Sequence, residues 1–162
     1  MREMRRTDRK LSAGETEEIL VNGEYGVLST VCEDGTPYGI PISYAYSAND
    51  HVVYMHCSAD GGQKIDNLRF NDKACLTVVL NTELMPEKFA TKYWSAMVFG
   101  TVQIIETKDE KQEGIEAILR KYAPMFEEKG LKYIENTIDR IYIFKMKVET
   151  AAGKARKQYV EK

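Results

Sequence analysis

The strand-like runs in this chain are joined by connections too short to cross over a sheet. "YGVLSTV" is followed by the turn "EDGTP", "YGIPISYAYS" by "AND", and "HVVYMHC" comes directly after. Parallel pairing needs a crossover of a dozen or more residues, so these neighbours are predicted to form an antiparallel meander. "ACLTVVL", "KYWSAMVFGTVQII" and "RIYIFKMKV" bring the strands to six, with "NTELMPEKFAT" read as an irregular connection. Few helices interrupt them, which predicts an antiparallel barrel rather than a parallel sheet. At 162 residues the chain forms one domain, with residues 1–10 and 150–162 read as tails.

Helices flank these strands. "SAGETEEILVNG" carries a capping box, Ser12 with Glu15, ahead of Ile19 and Leu20. "QKIDNLRFND" places Ile65 and Leu68 on one face, and "KDEKQEGIEAILRKYAP" repeats Ile115, Ile118, Leu119 and Tyr122 at helical spacing. A weaker helical stretch surrounds "LKYIEN".

Composition excludes several classes. A net charge of −2 gives no overall field toward nucleic acid, although basic residues gather in "MREMRRTDRK" and "GKARK". No apolar run approaches the ~18 residues that cross a bilayer, and no signal peptide is evident at the start. Cys32, Cys57 and Cys75 are odd in number and lie in strand-like segments, which suggests reduced thiols in a cytoplasmic protein. With two histidines and no CxxC or HExxH, no metal site is expected.

Two features suggest a ligand. In the second strand Ile40, Ile42, Tyr44 and Tyr46 share one parity, and Gly39, Pro41, Ser43 and Ala45 share the other. Pro41 removes a ladder donor, and the small face admits either another strand layer or a flat ligand. The second feature is "YMHCSADGGQKIDNLRF", residues 54–70, where a strand passes through a Gly-rich loop into a helix. Free N–H groups at a helix start suit an anion, and Ser58, Gly61, Gly62 and Lys64 would complete a phosphate cradle. An ordinary Gly-rich connection with a solvated lysine has the same pattern. His56 is either a satisfied histidine at a barrel rim or a proton carrier beside a ligand. Cys57 should face the opposite side as a small buried filler, so the two form no dyad. Trp94 and Tyr93 suit stacking, a subunit contact or core packing equally.

Taken in order, "MRRTDRKL", "GVLSTVCEDGTPYGIPISYAY", "VVYMHCSADGGQKIDNLRFNDKACLTVV", "YWSAMVFGTVQII" and "GKARK" resemble the split-barrel flavin proteins related to pyridoxamine 5′-phosphate oxidase. The nitroimidazole-resistance (Nim) branch is the most similar. The resemblance implies a mainly β, α+β fold: a six-stranded antiparallel split β-barrel with flanking helices. It further implies a homodimer with FMN at the interface. Pro41, Ile42 and Ser43 would run along the isoalloxazine, and His56, Cys57 and Ser58 around the ribityl chain and ring. Gln63 and Lys64 would bind the phosphate, and Ser95 would reach the flavin from the other subunit. The implied activity is oxidoreduction of a small planar acceptor such as a nitro-aromatic, with NAD(P)H or another donor and His56 as proton source. The family oxidases proper use Arg and His on a C-terminal strand. Here Arg140 begins that strand and no histidine follows His56, which argues against vitamin B6 oxidation. A non-catalytic flavin-binding protein, or a haem binder with His56 as axial ligand, shares the same features.

Overall fold

The computed structural model describes residues 3–157. Its strands are β1 (Gly26–Val31), β2 (Pro37–Ile42), β3 (Tyr44–Ser47), β4 (Val52–Ser58), β5 (Lys73–Met85), β6 (Ala90–Ile105) and β7 (Ile141–Arg156). Helices α1 (Ala13–Asn22), α2 (Gln63–Phe70), α3 (Lys108–Tyr122) and α4 (Glu127–Thr137) flank them. All seven strands form one antiparallel sheet in the order β2-β1-β5-β6-β7-β4-β3. The two edge strands, β2 and β3, are consecutive in the chain and separated only by Ser43. One residue therefore carries the chain from one edge of the sheet to the other, and the sheet must curl round to allow it.

That break corrects the predicted count from six strands to seven. "YGIPISYAYS" is two strands: β2 pairs with β1, and β3 pairs with β4. The first three runs are thus two hairpins and no continuous meander. Backbone groups freed at the break find a side chain instead. The Tyr122 hydroxyl accepts from the Tyr44 N–H (2.9 Å) and donates to the Glu24 carbonyl (2.6 Å), with the Tyr44 carbonyl 3.1 Å away. Tyr122 was predicted as part of an apolar stripe; its ring does continue that stripe, while its hydroxyl holds the split.

Two further segments differ from expectation. Residues 150–156, read as tail, complete β7 and pair with residues 93–99 of β6. Of the N-terminal tail, Thr7–Arg9 forms a 3-10 turn and Lys10 bridges to Lys154; residues 1–2 and 158–162 lie outside the described residues. Residues 81–85, read as irregular, continue β5: a bulge between Leu80 and Glu83 is followed by pairing of 83–85 with 90–92. Sequence periodicity missed it because Asn81 sits at φ +53 and shifts the register.

The capping box of Ser12 and Glu15 starts α1 as predicted, and Ile19 and Leu20 are buried in the barrel. Even-numbered residues of β1, β5 and β6, such as Leu28, Leu76 and Val98, fill the interior with Tyr44, Met55, Phe144 and Met146. A second core of Ala45, Tyr54, Ile105 and Ile143 lies outside the sheet, under Ile118 of α3. Ala45 thus leaves the small-residue row predicted for it and is buried on the outer face. No helix among the described residues is long and apolar enough to cross a membrane.

Tyr122→Phe keeps the ring and removes the hydroxyl that satisfies the break. It is expected to destabilise the fold by about 1–3 kcal/mol, the cost of unpairing a buried backbone group. Urea denaturation measures this, and an unchanged midpoint would assign the break to some other support.

Candidate functional site

The loop after β4 is fixed at both ends and open above. The Ala59 N–H donates to the Arg140 carbonyl (2.9 Å), tying the loop to the start of β7, and the Gly61 N–H donates to the Ser58 carbonyl (3.2 Å). Gly61 and Gly62 have φ +82 and +115, which side-chain-bearing residues rarely adopt. A Cβ at either would meet nothing within 4 Å, so backbone conformation alone requires glycine, and the space over the loop is clear. Gly62 caps α2 without a side chain, leaving the first-turn N–H groups with no side-chain acceptor.

Each predicted residue of this segment has a defined place. Gln63 donates through Nε2 to Asn67 Oδ1 (2.8 Å), and Asn67 Nδ2 donates to Thr30 Oγ1 (3.0 Å). Asn67 is 1% exposed and Thr30 3%, so a buried polar relay from β1 orients Gln63 at the surface. Sequence reasoning missed both; the available signal was a polar residue, Asn67, between Ile65 and Leu68 on a helix face turned inward. Lys64 is half-buried; burial pushes the Cys57 thiol up against the pull of the nearby Lys64 charge, and the thiol donates to the Ser58 carbonyl (3.3 Å). Cys57 packs against the interior core, as expected of a filler. Ser58 Oγ donates to Asp60 Oδ2 (2.8 Å) and accepts from the Asp60 N–H (3.2 Å).

His56 is paired in register with Ile143 and lies on the other side of β4 from Cys57. Its Nδ1 is buried without a partner. Burial lowers its pKa below the usual imidazole value, so the ring is neutral at pH 7.

Gly39 and Pro41 of β2 and Ser43 at the break are exposed, while the Ile42 side chain is buried. Pro41 and Ser43 can therefore present side chains to a flat group, and Ile42 contributes only backbone. Ser95 is not brought to the other residues. Its strand, β6, is three steps from β2 in the sheet, roughly 14 Å at the usual strand spacing. Its hydroxyl donates to the Lys154 carbonyl (3.1 Å). The outer face between them exposes Val79 (51%) and Met97 (42%). Trp94 is half-buried and packs against the interior core, with Lys92 Nζ 5.7 Å from its ring centre. A cavity of about 520 Å³ between α1 and the β5–β6 ladder is lined by Glu18, Tyr25, Leu80 and Trp94; it holds the aromatic singled out for stacking but none of the residues expected to contact the flavin. Among the described residues, no group of three or more His, Cys, Asp or Glu side chains could hold a metal ion.

Residues 12–155 match the family described as pyridoxamine 5′-phosphate oxidase. The chain belongs to that family. An uncharacterized protein of Rhizobium meliloti (strain 1021) is 31% identical over 134 residues, covering 80% of this chain and 81% of the relative. A candidate 5-nitroimidazole antibiotic resistance protein from Bacteroides thetaiotaomicron superposes with a TM-score of 0.77 at 23% identity, over 90% of this chain and 86% of that one. The FAD and heme binding protein from Mycobacterium smegmatis gives 0.77 at 16% identity, over 95% and 76%. These likenesses show the shared fold: a mainly antiparallel split barrel with flanking helices.

The residues present fit a flavin phosphate and ring. The clear space over Gly61 and Gly62, the uncapped start of α2 with Lys64, and the exposed Pro41 and Ser43 meet the steric and charge requirements. The orphaned His56 Nδ1 is a polar atom still lacking its partner.

Burial of neutral His56 has a consequence for stability. Its folded pKa lies below the unfolded value of 6.5, so the unfolded chain binds the proton more readily. Stability contributed by this residue is complete above pH 6.5 and falls as the pH drops below it. His56→Leu is expected to flatten the dependence between pH 7 and 5, measured as the shift in urea midpoint. Parallel pH profiles for the two proteins would place the effect elsewhere.

Proposed function

We propose that this protein binds FMN and is an oxidoreductase acting on a small planar acceptor, a 5-nitroimidazole-like nitro-aromatic being one candidate. The observation that carries the reading is Lys64 in the first turn of α2, beside a glycine cap that supplies no side-chain acceptor; the Ile65 N–H turns back to the Gly62 carbonyl (2.8 Å), which leaves the Gln63 and Lys64 N–H groups for a ligand. These groups would hold a terminal phosphate by charge-assisted hydrogen bonds, with Gln63 kept in place by Asn67. Ser58 would add its hydroxyl. Pro41, Ser43 and the Ile42 backbone would line one face of the ring and exclude water from it. FMN, when bound, would supply the transfer of electrons from a donor such as NAD(P)H.

His56 is neutral near pH 7 and carries a single ring N–H. It would relay a proton to the reduced acceptor, the unprotonated ring nitrogen taking one up as the N–H gives one away, so that no imidazolate forms. A haem-binding reading has one specific support, the unpartnered His56 Nδ1, since a free imidazole nitrogen is also a ligand. The absorption spectrum of the purified protein separates the two.

FMN is favoured over FAD because Lys64 and the loop suit a terminal phosphate monoester. The Mycobacterium smegmatis neighbour binds FAD, so a competitive titration of both flavins is the direct check. A second copy of the chain would complete the site. Pro41 and Ser43 cover at most one side of a ring, Ser95 is strands away within its own chain, and the apolar outer face around Val79 and Met97 would be covered in a dimer.

Lys64→Ala is expected to weaken FMN roughly ten- to a hundredfold by losing one charge-assisted contact, with riboflavin almost unaffected. Flavin-fluorescence titration reads both, and equal losses would remove Lys64 from the phosphate. For the shared site, Lys64→Glu and Ser95→Trp are each expected to abolish FMN binding alone. A purified heterodimer of the two retains one intact site and should bind about one FMN per dimer. Zero FMN in a folded heterodimer would sink the shared-site reading.

A further inference from the structure

The loop that would receive the phosphate already contains an anion. Asp60 lies between Ser58 and the two glycines, and it engages both functions of the Ser58 hydroxyl. Its Oδ2 takes the Ser58 O–H (2.8 Å) and its own N–H occupies the Ser58 oxygen (3.2 Å). A serine hydroxyl has one proton to give. A phosphate oxygen can use that donor only if the Asp60 carboxylate releases it. The Asp60 side chain is exposed, so its carboxylate can rotate away without moving the backbone of the loop.

From this geometry we infer that Asp60 is a competing internal anion that limits phosphate affinity and makes the flavin exchangeable. The inference rests on the phosphate site proposed above and concerns how tightly that site holds its ligand. Three terms act on an incoming phosphate. Lys64 and the open N–H groups at the start of α2 attract it. Asp60 holds the Ser58 proton in competition with it. Once displaced, the Asp60 carboxylate remains nearby and repels it, more strongly for a dianion than for a monoanion and not at all for neutral riboflavin. Asp66, in the first turn of α2, adds the same sign of charge from an exposed position but makes no hydrogen bond to Ser58.

Asp60→Asn keeps the shape and an oxygen able to accept from Ser58, while removing the charge. The variant is expected to bind FMN about three- to tenfold more tightly, the effect of one unit charge near a phosphate at solvent-exposed distance. Riboflavin affinity should not change. Asp66→Asn should give a smaller gain, because that carboxylate does not compete for the hydroxyl. In a Ser58→Ala background the gain from Asp60→Asn should shrink, since the contested donor is gone.

Fluorescence titration of FMN and riboflavin into these variants and into Lys64→Ala reads every arm. If FMN and riboflavin bind wild type equally and Lys64→Ala changes neither, the phosphate site itself is wrong and the inference falls with it. If Lys64→Ala weakens FMN selectively but Asp60→Asn binds it equally or less tightly, the phosphate site stands and the role of Asp60 is overturned. An equal gain from Asp66→Asn would reduce the effect to general charge and also overturn it.

Discussion

The rest of the structure depends on how the chain survives the break at Ser43. A strand that leaves one sheet edge and joins the other gives up ladder partners where it turns, and unpaired buried backbone groups cost about 1–3 kcal/mol each. The Tyr122 hydroxyl meets that cost from outside the sheet, at Tyr44 and at Glu24 together. The last turn of α3 is thereby attached to the start of both β3 and β1. Beside it, the Lys121 ammonium lies 3.6 Å from the Tyr44 ring centre without a hydrogen-bond partner, and burial lowers its pKa to about 8. The ring face favours the cation and acts against that burial. Tyr44 in turn donates to the Leu20 carbonyl of α1, so helices on both sides converge on one residue next to the break.

Closure at Ser43 also shapes the surface proposed to receive the ligand. It leaves Gly39, Pro41 and Ser43 turned to the outside with no bulk over them, while the alternate side chains fill the core. At the end of β4, the loop is tethered to Arg140 and the helix that follows is oriented from below by Asn67 and Thr30. Rigid support beneath and open space above are what a pre-organised site requires. The charges there do not all favour an anion. In the proposed phosphate site Lys64 would attract the ligand and Asp60 oppose it, a balance suited to a ligand that is held and released.

Membership of the pyridoxamine 5′-phosphate oxidase family and the split-barrel fold leave several chemistries open, because a fold hosts more than one function. The neighbours differ accordingly, one described by resistance to an antibiotic class and another by FAD and heme. What separates such chemistries in this chain is local. Lys64 with an open helix start speaks for a phosphate, and a neutral, unpartnered His56 for a proton donor or a ligand.

Much of this was written in local pattern. The capping box of Ser12 and Glu15, the helical spacing of Ile115 and Ile118, the inward face of β2 and the opposite orientations of His56 and Cys57 depend only on helical and strand periodicity. The loop glycines, too, carried their meaning in sequence, since positive φ is a local property. Other features depended on partners distant in the chain. Nothing local distinguishes one ten-residue strand from two strands joined at Ser43, because the choice is made by β1 and β4 and by a hydroxyl 78 residues away. Residues 150–156 look like a basic tail until β6 supplies the ladder that orders them. Asn67 looks like a surface polar residue until Thr30, 37 positions earlier, gives it a reason to be buried. Periodicity, caps and turns are decided within a few residues, so the sequence determined the elements and the chemical types at the site. Strand partners and polar relays exist only where distant segments meet, and that was left to the tertiary structure.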